Sequence, residues 1–230
     1  METLIYGTTE IEYSVQFSTR KTLGITVYPD GTVLVKAPQG TLLEKIEEKL
    51  TKRGAWILKQ QHFFTSFGER MPARRYISGE SHLYLGKQYL LHVKEGKTNS
   101  VSFKGRQFEI VCADKSKAGK LMNEWYKERA KIKFAEIAEP IIQRFKKYAV
   151  EPTAIYIQVM HHRWGSCTPK GKMILNTELV KTPKPCIEYV ITHELCHLLH
   201  RDHTRAFYDL LSFEMADWER WKNKLEKLMY

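Results

Sequence analysis

The sequence predicts an α+β protein, with a β-rich N-terminal domain followed by a domain organised around helices. Three observations carry that expectation. Short alternating segments separated by turn residues fill the first half, and the composition shifts near Asp114. Beyond the shift, helical periods take over, and one of them encloses His193-Glu194-Leu195-Cys196-His197. The boundary this suggests separates residues 1–115 from residues 116–230.

The elements follow in order. Residues 11–17 alternate apolar and polar side chains, as a half-buried strand does. Residues 24–28 and 32–35 flank Pro29-Asp30-Gly31, where proline fixes φ and glycine permits a positive φ, so a hairpin is expected. From Thr41 to about Phe64, Leu43, Ile46, Leu50, Trp56 and Ile57 recur at helical spacing, and Thr41 with Glu44 fits a capping box. A connector containing Arg74 and Arg75 covers residues 67–79. Strands are then expected at residues 81–85 and 88–93, and a hairpin at 101–103 and 107–111 around Gly105. Residues 116–148 read as one long helix with Pro140 as a place to bend. Strands at 154–160 and 173–176 precede two helices, one over 185–200 and one from Thr204 to near the C-terminus. The strand at 173–176 reads equally as an ordinary sheet member or as an edge to which a peptide could add. No sequence repeat is visible.

Composition bounds the function classes. Apolar residues make up 43% and aromatics 12%, enough for a packed core and against general disorder. No apolar run approaches the roughly 18 residues that a membrane span needs. The N-terminus shows no secretory pattern, and Cys112, Cys167, Cys186 and Cys196 show no disulfide or CxxC spacing. A cytoplasmic protein with reduced thiols is therefore expected. The formal charge of +11 admits nucleic acid, acidic proteins or anionic surfaces as partners. It fits a merely soluble basic protein equally well, because no nucleic-acid motif accompanies it. Oligomeric state is not legible.

The pattern HExxH carries the chemistry. On a helix, the four-residue spacing turns His193 and His197 to one face, where both imidazoles can share a zinc ion at about 2.0–2.1 Å. Glu194 then stands where it can take a proton from a zinc-bound water. Chance alone yields such a match in roughly 3 of 100 shuffled chains of this composition, so context must decide. Here Ile187, Tyr189, Val190, Ile191, Leu195, Leu198 and Leu199 surround the motif, and a glutamate and two histidines buried among them without a metal would be costly.

A third ligand is needed. The candidates are His200, His203, Glu214 and Asp217. His200 would share the face of His193 and His197, yet its backbone would stand about 4.5 Å further along the axis. His203 follows Arg201-Asp202, a place for the helix to break, and has the spacing of the third histidine in HExxHxxGxxH. Glu214 on the next helix would suit a His₂Glu site. Spacing favours His203. Two further features bear on the site. Arg163-Trp164-Gly165-Ser166-Cys167 reads either as a turn or as a loop beside the metal, with Arg163 or His162 able to stabilise an oxyanion. Trp218 and Trp221 read as core.

The segment Arg163-Trp164-Gly165-Ser166-Cys167, then Ile174-Leu175-Asn176, then Thr192-His193-Glu194-Leu195-Cys196-His197, then His203-Thr204 with Phe207-Tyr208 resembles the YgjP-like metallopeptidases, the former domain of unknown function 45. These are relatives of the SprT-like proteases. Arg20-Lys21-Thr22, Pro29-Asp30-Gly31 and Ala37-Pro38 extend the resemblance to nearly the whole chain. The resemblance implies a zincin-like catalytic domain with metal on His193, His197 and His203. His162, Arg163 and Asn176 are the candidates for a substrate or oxyanion site beside it. His200 and the doubled His161-His162 depart from the family pattern. The expectation is thus a zinc metallopeptidase acting on proteins or peptides. The competing class is a nucleic-acid-associated protein with structural zinc, and a DNA-recruited protease lies between.

Overall fold

The computed structural model describes residues 2–28, 30–65, 74–160 and 163–228. Two compact units divide the chain between residues 72 and 73.

In the first unit, β1 (Glu2–Tyr6) and β2 (Thr9–Ser18) form a hairpin whose turn is Gly7 and Thr8, with Gly7 at φ +63°, where a residue without Cβ carries little strain. The sequence reading did not anticipate β1. β3 (Gly24–Val27) and β4 (Val33–Pro38) form the expected second hairpin, closed by Tyr28 N donating to the Thr32 carbonyl at 2.8 Å. Pro29 lies outside the described residues. β2 and β4 run parallel, which gives the order β1-β2-β4-β3. Helix α1 (Leu43–Thr65) buries Ile46, Leu50 and Ile57 against Ile11, Tyr13, Val33 and Val35 of this sheet. Part of the expected connector, residues 66–73, lies outside the described residues.

The second unit opens with β5 (Ser81–Tyr84), β6 (Lys87–Glu95), β7 (Ser100–Lys104) and β8 (Gln107–Cys112). Their order, β5-β6-β8-β7, again joins two hairpins through a parallel pair, so the topology of the first sheet recurs without a matching sequence. Helix α2 (Ala118–Phe145), with Pro140 inside it, follows. Its Trp125 ring meets Phe108 at 5.0 Å and Tyr84 at 5.1 Å, and the Tyr126 hydroxyl donates to the Leu83 carbonyl at 2.7 Å. These strands and α2 therefore share one core. The boundary read from sequence near residue 115 falls inside this unit, because the composition shift marks the passage from strand to helix and not a gap in packing.

The remaining elements build the site. β9 (Ala154–Gln158), β10 (Gly165–Cys167) and β11 (Lys172–Asn176) form a sheet of order β10-β11-β9. β11 is the central strand, so of the two readings of residues 173–176 the ordinary sheet member holds, and the edge near the site is β10. Helices α3 (Lys184–Leu199), α4 (Arg205–Glu214) and α5 (Trp218–Leu228) complete the unit. The single C-terminal helix expected from Thr204 is two. Met215 leaves helical geometry at φ −150°, and Trp218 turns inward to stack on Tyr189 and Tyr208. The α+β class expected from sequence is the one observed. No described helix is long and apolar enough to cross a membrane.

Candidate metal centre

Helix α3 is held on several sides. Ile187, Val190, Ile191, Leu195 and Cys196 are buried in the unit's core, which fixes the remaining face toward a cleft of about 450 Å³. His193 and His197 project there one turn apart, and their Nε2 atoms lie 3.1 Å from each other. The helix ends at His200, whose extended backbone (φ −126°, ψ 104°) sends the chain back toward the cleft. His203 returns on that segment, with its Nε2 also 3.1 Å from His193 Nε2. The break expected at His200 is present. Thr204 occupies the N-cap position of α4, but its hydroxyl makes no capping bond.

The hydrogen bonds assign the tautomer of one ring. His197 Nδ1 lies 3.1 Å from the His200 carbonyl, which can only accept, so Nδ1 carries the proton and Nε2 presents a lone pair. Burial, then the neighbouring His197 and His203, push the His193 pKa down to about 3, so that ring is neutral. His203 is lowered too, mainly by burial. Three imidazoles thus point nitrogens at one spot, and His193 Nε2 can satisfy at most one of its two neighbours with a proton.

A cation resolves that crowding. Ligands about 2.0–2.1 Å from a tetrahedral ion stand about 3.3–3.4 Å apart, close to the observed separations. Among the described residues, these three are the histidines, cysteines and acids grouped closely enough to hold a metal. Buried His193 Nδ1 and Glu194 Oε2 have no hydrogen-bond partner there. The residues present fit a metal. Glu214, the alternative third ligand, lies elsewhere. Its carboxylate accepts from the Tyr148 hydroxyl at 2.6 Å and from Lys147 at 2.7 Å.

Glu194 lies beside the histidines, 5% exposed, and burial lifts its pKa to about 8 against the pull of Arg163. A cation nearby would draw it back down and restore the carboxylate. Its placement depends on Gly165. A Cβ there would stand 2.6 Å from Glu194 Oε1 and 2.9 Å from Val190 Cγ1. Gly165 does not take the positive φ of the turn reading, and the segment Gly165–Cys167 is strand β10. Its glycine serves close approach.

The other expected site residues separate. Arg163 lines the cleft. Asn176 is buried, and its amide is committed to the chain entering β10: Nδ2 donates to the Met160 carbonyl at 2.7 Å and the Arg163 carbonyl at 3.0 Å. It positions Arg163 and does not line the cleft. His162 lies outside the described residues. Sequence reasoning gave no role to Phe207, which is buried beneath all three imidazoles at centroid distances of 4.7–5.0 Å. Its position one turn beyond His203 was the available signal.

A mixed α/β unit with three converging histidines and a buried glutamate beside a cleft belongs to the class of metal-dependent hydrolases. Within that class, the chain belongs to the YgjP-like family: residues 21–228 match its metallopeptidase domain. No curated protein matches the chain significantly.

Proposed function

We propose that the protein is a zinc-dependent peptidase that hydrolyses peptide bonds in protein or peptide substrates. The convergence of the His193, His197 and His203 Nε2 atoms beside Glu194 carries the reading. Three imidazole nitrogens with room for a fourth position suit zinc better than hard, oxygen-seeking cations. When bound, zinc would supply a Lewis acid for the peptide carbonyl and lower the pKa of a water.

This chain's own residues do the rest. The His200 carbonyl holds His197 Nδ1–H, keeping the ring oriented. Phe207 closes the floor under the three rings and excludes water from that side. Glu194 takes the attacking water's proton and delivers it to the departing amine. β10 borders the cleft through Gly165, Ser166 and Cys167 and, among the described residues, pairs with β11 alone, so its outer backbone groups can bind an extended peptide.

Metal analysis of the purified protein beside Glu194→Gln, with both assayed on unfolded protein substrates, tests the reading. Wild type should carry near-stoichiometric zinc and cleave. The variant should keep the zinc and lose at least about a hundredfold in rate, the scale of a lost general base. Cleavage surviving in the variant removes Glu194 from the mechanism.

A further inference from the structure

Arg163 and Arg201 reach the cleft on two separate segments, one entering β10 and one leaving α3. Both are exposed, and among the described residues neither guanidinium is hydrogen-bonded or ion-paired. Among the described residues Glu194 is the one carboxylate lining the cleft, and its function as a base occupies it. Residues 1–72 carry nine basic and eight acidic side chains, so nearly all of the +11 charge belongs to the unit that holds the cleft. A bound divalent cation adds to that field.

Unpaired guanidiniums at the mouth of a concave site are poised for a planar anion, because the fork of N–H donors matches a carboxylate bidentately. A cleft walled by protein also focuses the field on what enters. We infer that the cleft selects peptides bearing a carboxylate next to the scissile bond, held by Arg163 and Arg201. That carboxylate is an acidic side chain or the free C-terminus of the substrate. Arg163 is set for this by Asn176, whose amide grips its carbonyl while leaving the guanidinium free. Phosphates of a nucleic acid are the competing anion, but both arginines lie in the cleft that contains Glu194 and the three histidines, where a peptide must lie. The inference rests on the peptidase reading above for its substrate.

The experiment measures binding apart from turnover. Capped peptides that differ only in Glu, Gln or Lys at one position are titrated onto zinc-loaded Glu194→Gln protein, and wild-type kcat/KM is measured for the same set. A second series compares free and amidated C-termini. The Glu peptide should bind about tenfold tighter than the Gln peptide, as one charge-assisted hydrogen bond provides. That preference should disappear in R163Q/R201Q and turn toward Lys in R163E/R201E, with zinc content unchanged in both. Preference tied to the free C-terminus instead identifies the chain end as the carboxylate. Equal binding of Glu and Gln peptides together with equal binding of free and amidated C-termini overturns the inference, as does duplex DNA that binds the cleft where acidic peptides do not. Selective binding without wild-type cleavage upholds the carboxylate site and defeats the hydrolytic reading instead.

Discussion

At the scale of single residues, the site depends on one side chain that is missing and one carbonyl that is present. Gly165 lets β10 approach Glu194 closely, and any Cβ would push the carboxylate or Val190 aside. Gly165→Ala should therefore keep its zinc but lose about 10- to 100-fold in kcat, the cost of misplacing a catalytic group by about an ångström. Elemental analysis beside steady-state kinetics checks this, and an unaltered kcat would show that Glu194 accommodates the methyl. His200 contributes through its main chain, since its carbonyl receives His197 Nδ1–H. His200→Ala should retain zinc and most activity, whereas His203→Ala should lose both. Zinc retained in the second variant would dismiss His203 as a ligand. The grouping of His193, Glu194 and His197 on one helix was legible in sequence because helical spacing is local. Gly165 was not, because the contact that explains it spans 29 positions of chain.

Elements place these residues, and here the reading from sequence was partial. Hairpins with glycine turns were readable at β3–β4 and β7–β8, since the turn chemistry is local. β10 was not, because a three-residue strand has no period to detect, and its parallel neighbour pairing β9–β11 has no connecting turn to announce it. The split between α4 and α5 was equally hidden. Its cause is the inward stacking of Trp218, which apolar periodicity alone reads as continued helix. α4 matters because it carries Phe207 at one end and Glu214 at the other. Glu214 fastens it to the end of α2 and the turn after it through Tyr148, Lys147 and Arg144. Burial alone would raise the Glu214 pKa, but the bonds from Lys147 and Tyr148 and the Arg144 charge outweigh this and hold it below the ordinary value. A carboxyl depressed in the fold stabilises above its unfolded pKa of about 4.3, and that stability is lost as pH falls through the lower folded value. Glu214→Gln should lower stability at pH 7 by about 1–2 kcal/mol, discounted for the exposed lysine and arginine. Thermal melts across pH should show the gap to wild type closing below about pH 4. A gap that stays constant with pH would assign the loss to packing alone.

At the scale of the whole molecule, two cores were hidden behind one composition shift. The first draws on residues between Ile11 and Ile57, and the second on residues between Tyr84 and Leu225. Sequence placed the boundary where strands give way to helices. Packing places it earlier, because the second sheet and α2 share one core, in which Phe108 and Tyr126 belong to one aromatic cluster. The turn Leu85–Gly86 reinforces that union: its amides donate to the Val180 and Lys181 carbonyls at 2.9 and 3.0 Å, beside the start of α3. All three candidate ligands, Glu194, β10 and both cleft arginines lie in the second unit. A fragment of 158 residues is also within the range where a single core suffices for independent folding. Residues 73–230 alone should therefore fold cooperatively and bind zinc with the same stoichiometry as the full chain. The same fragment cut at the apparent boundary, beginning at residue 116, should not fold. It would expose the face of α2 formed by Trp125 and Tyr126, which meets Tyr84 and Phe108 of the sheet. Circular dichroism melts and zinc analysis of the two fragments compare the boundaries directly. A folded, zinc-loaded 116–230 fragment would restore the division read from composition, and the β5–β8 sheet would then be an accessory to the metal unit instead of part of its core.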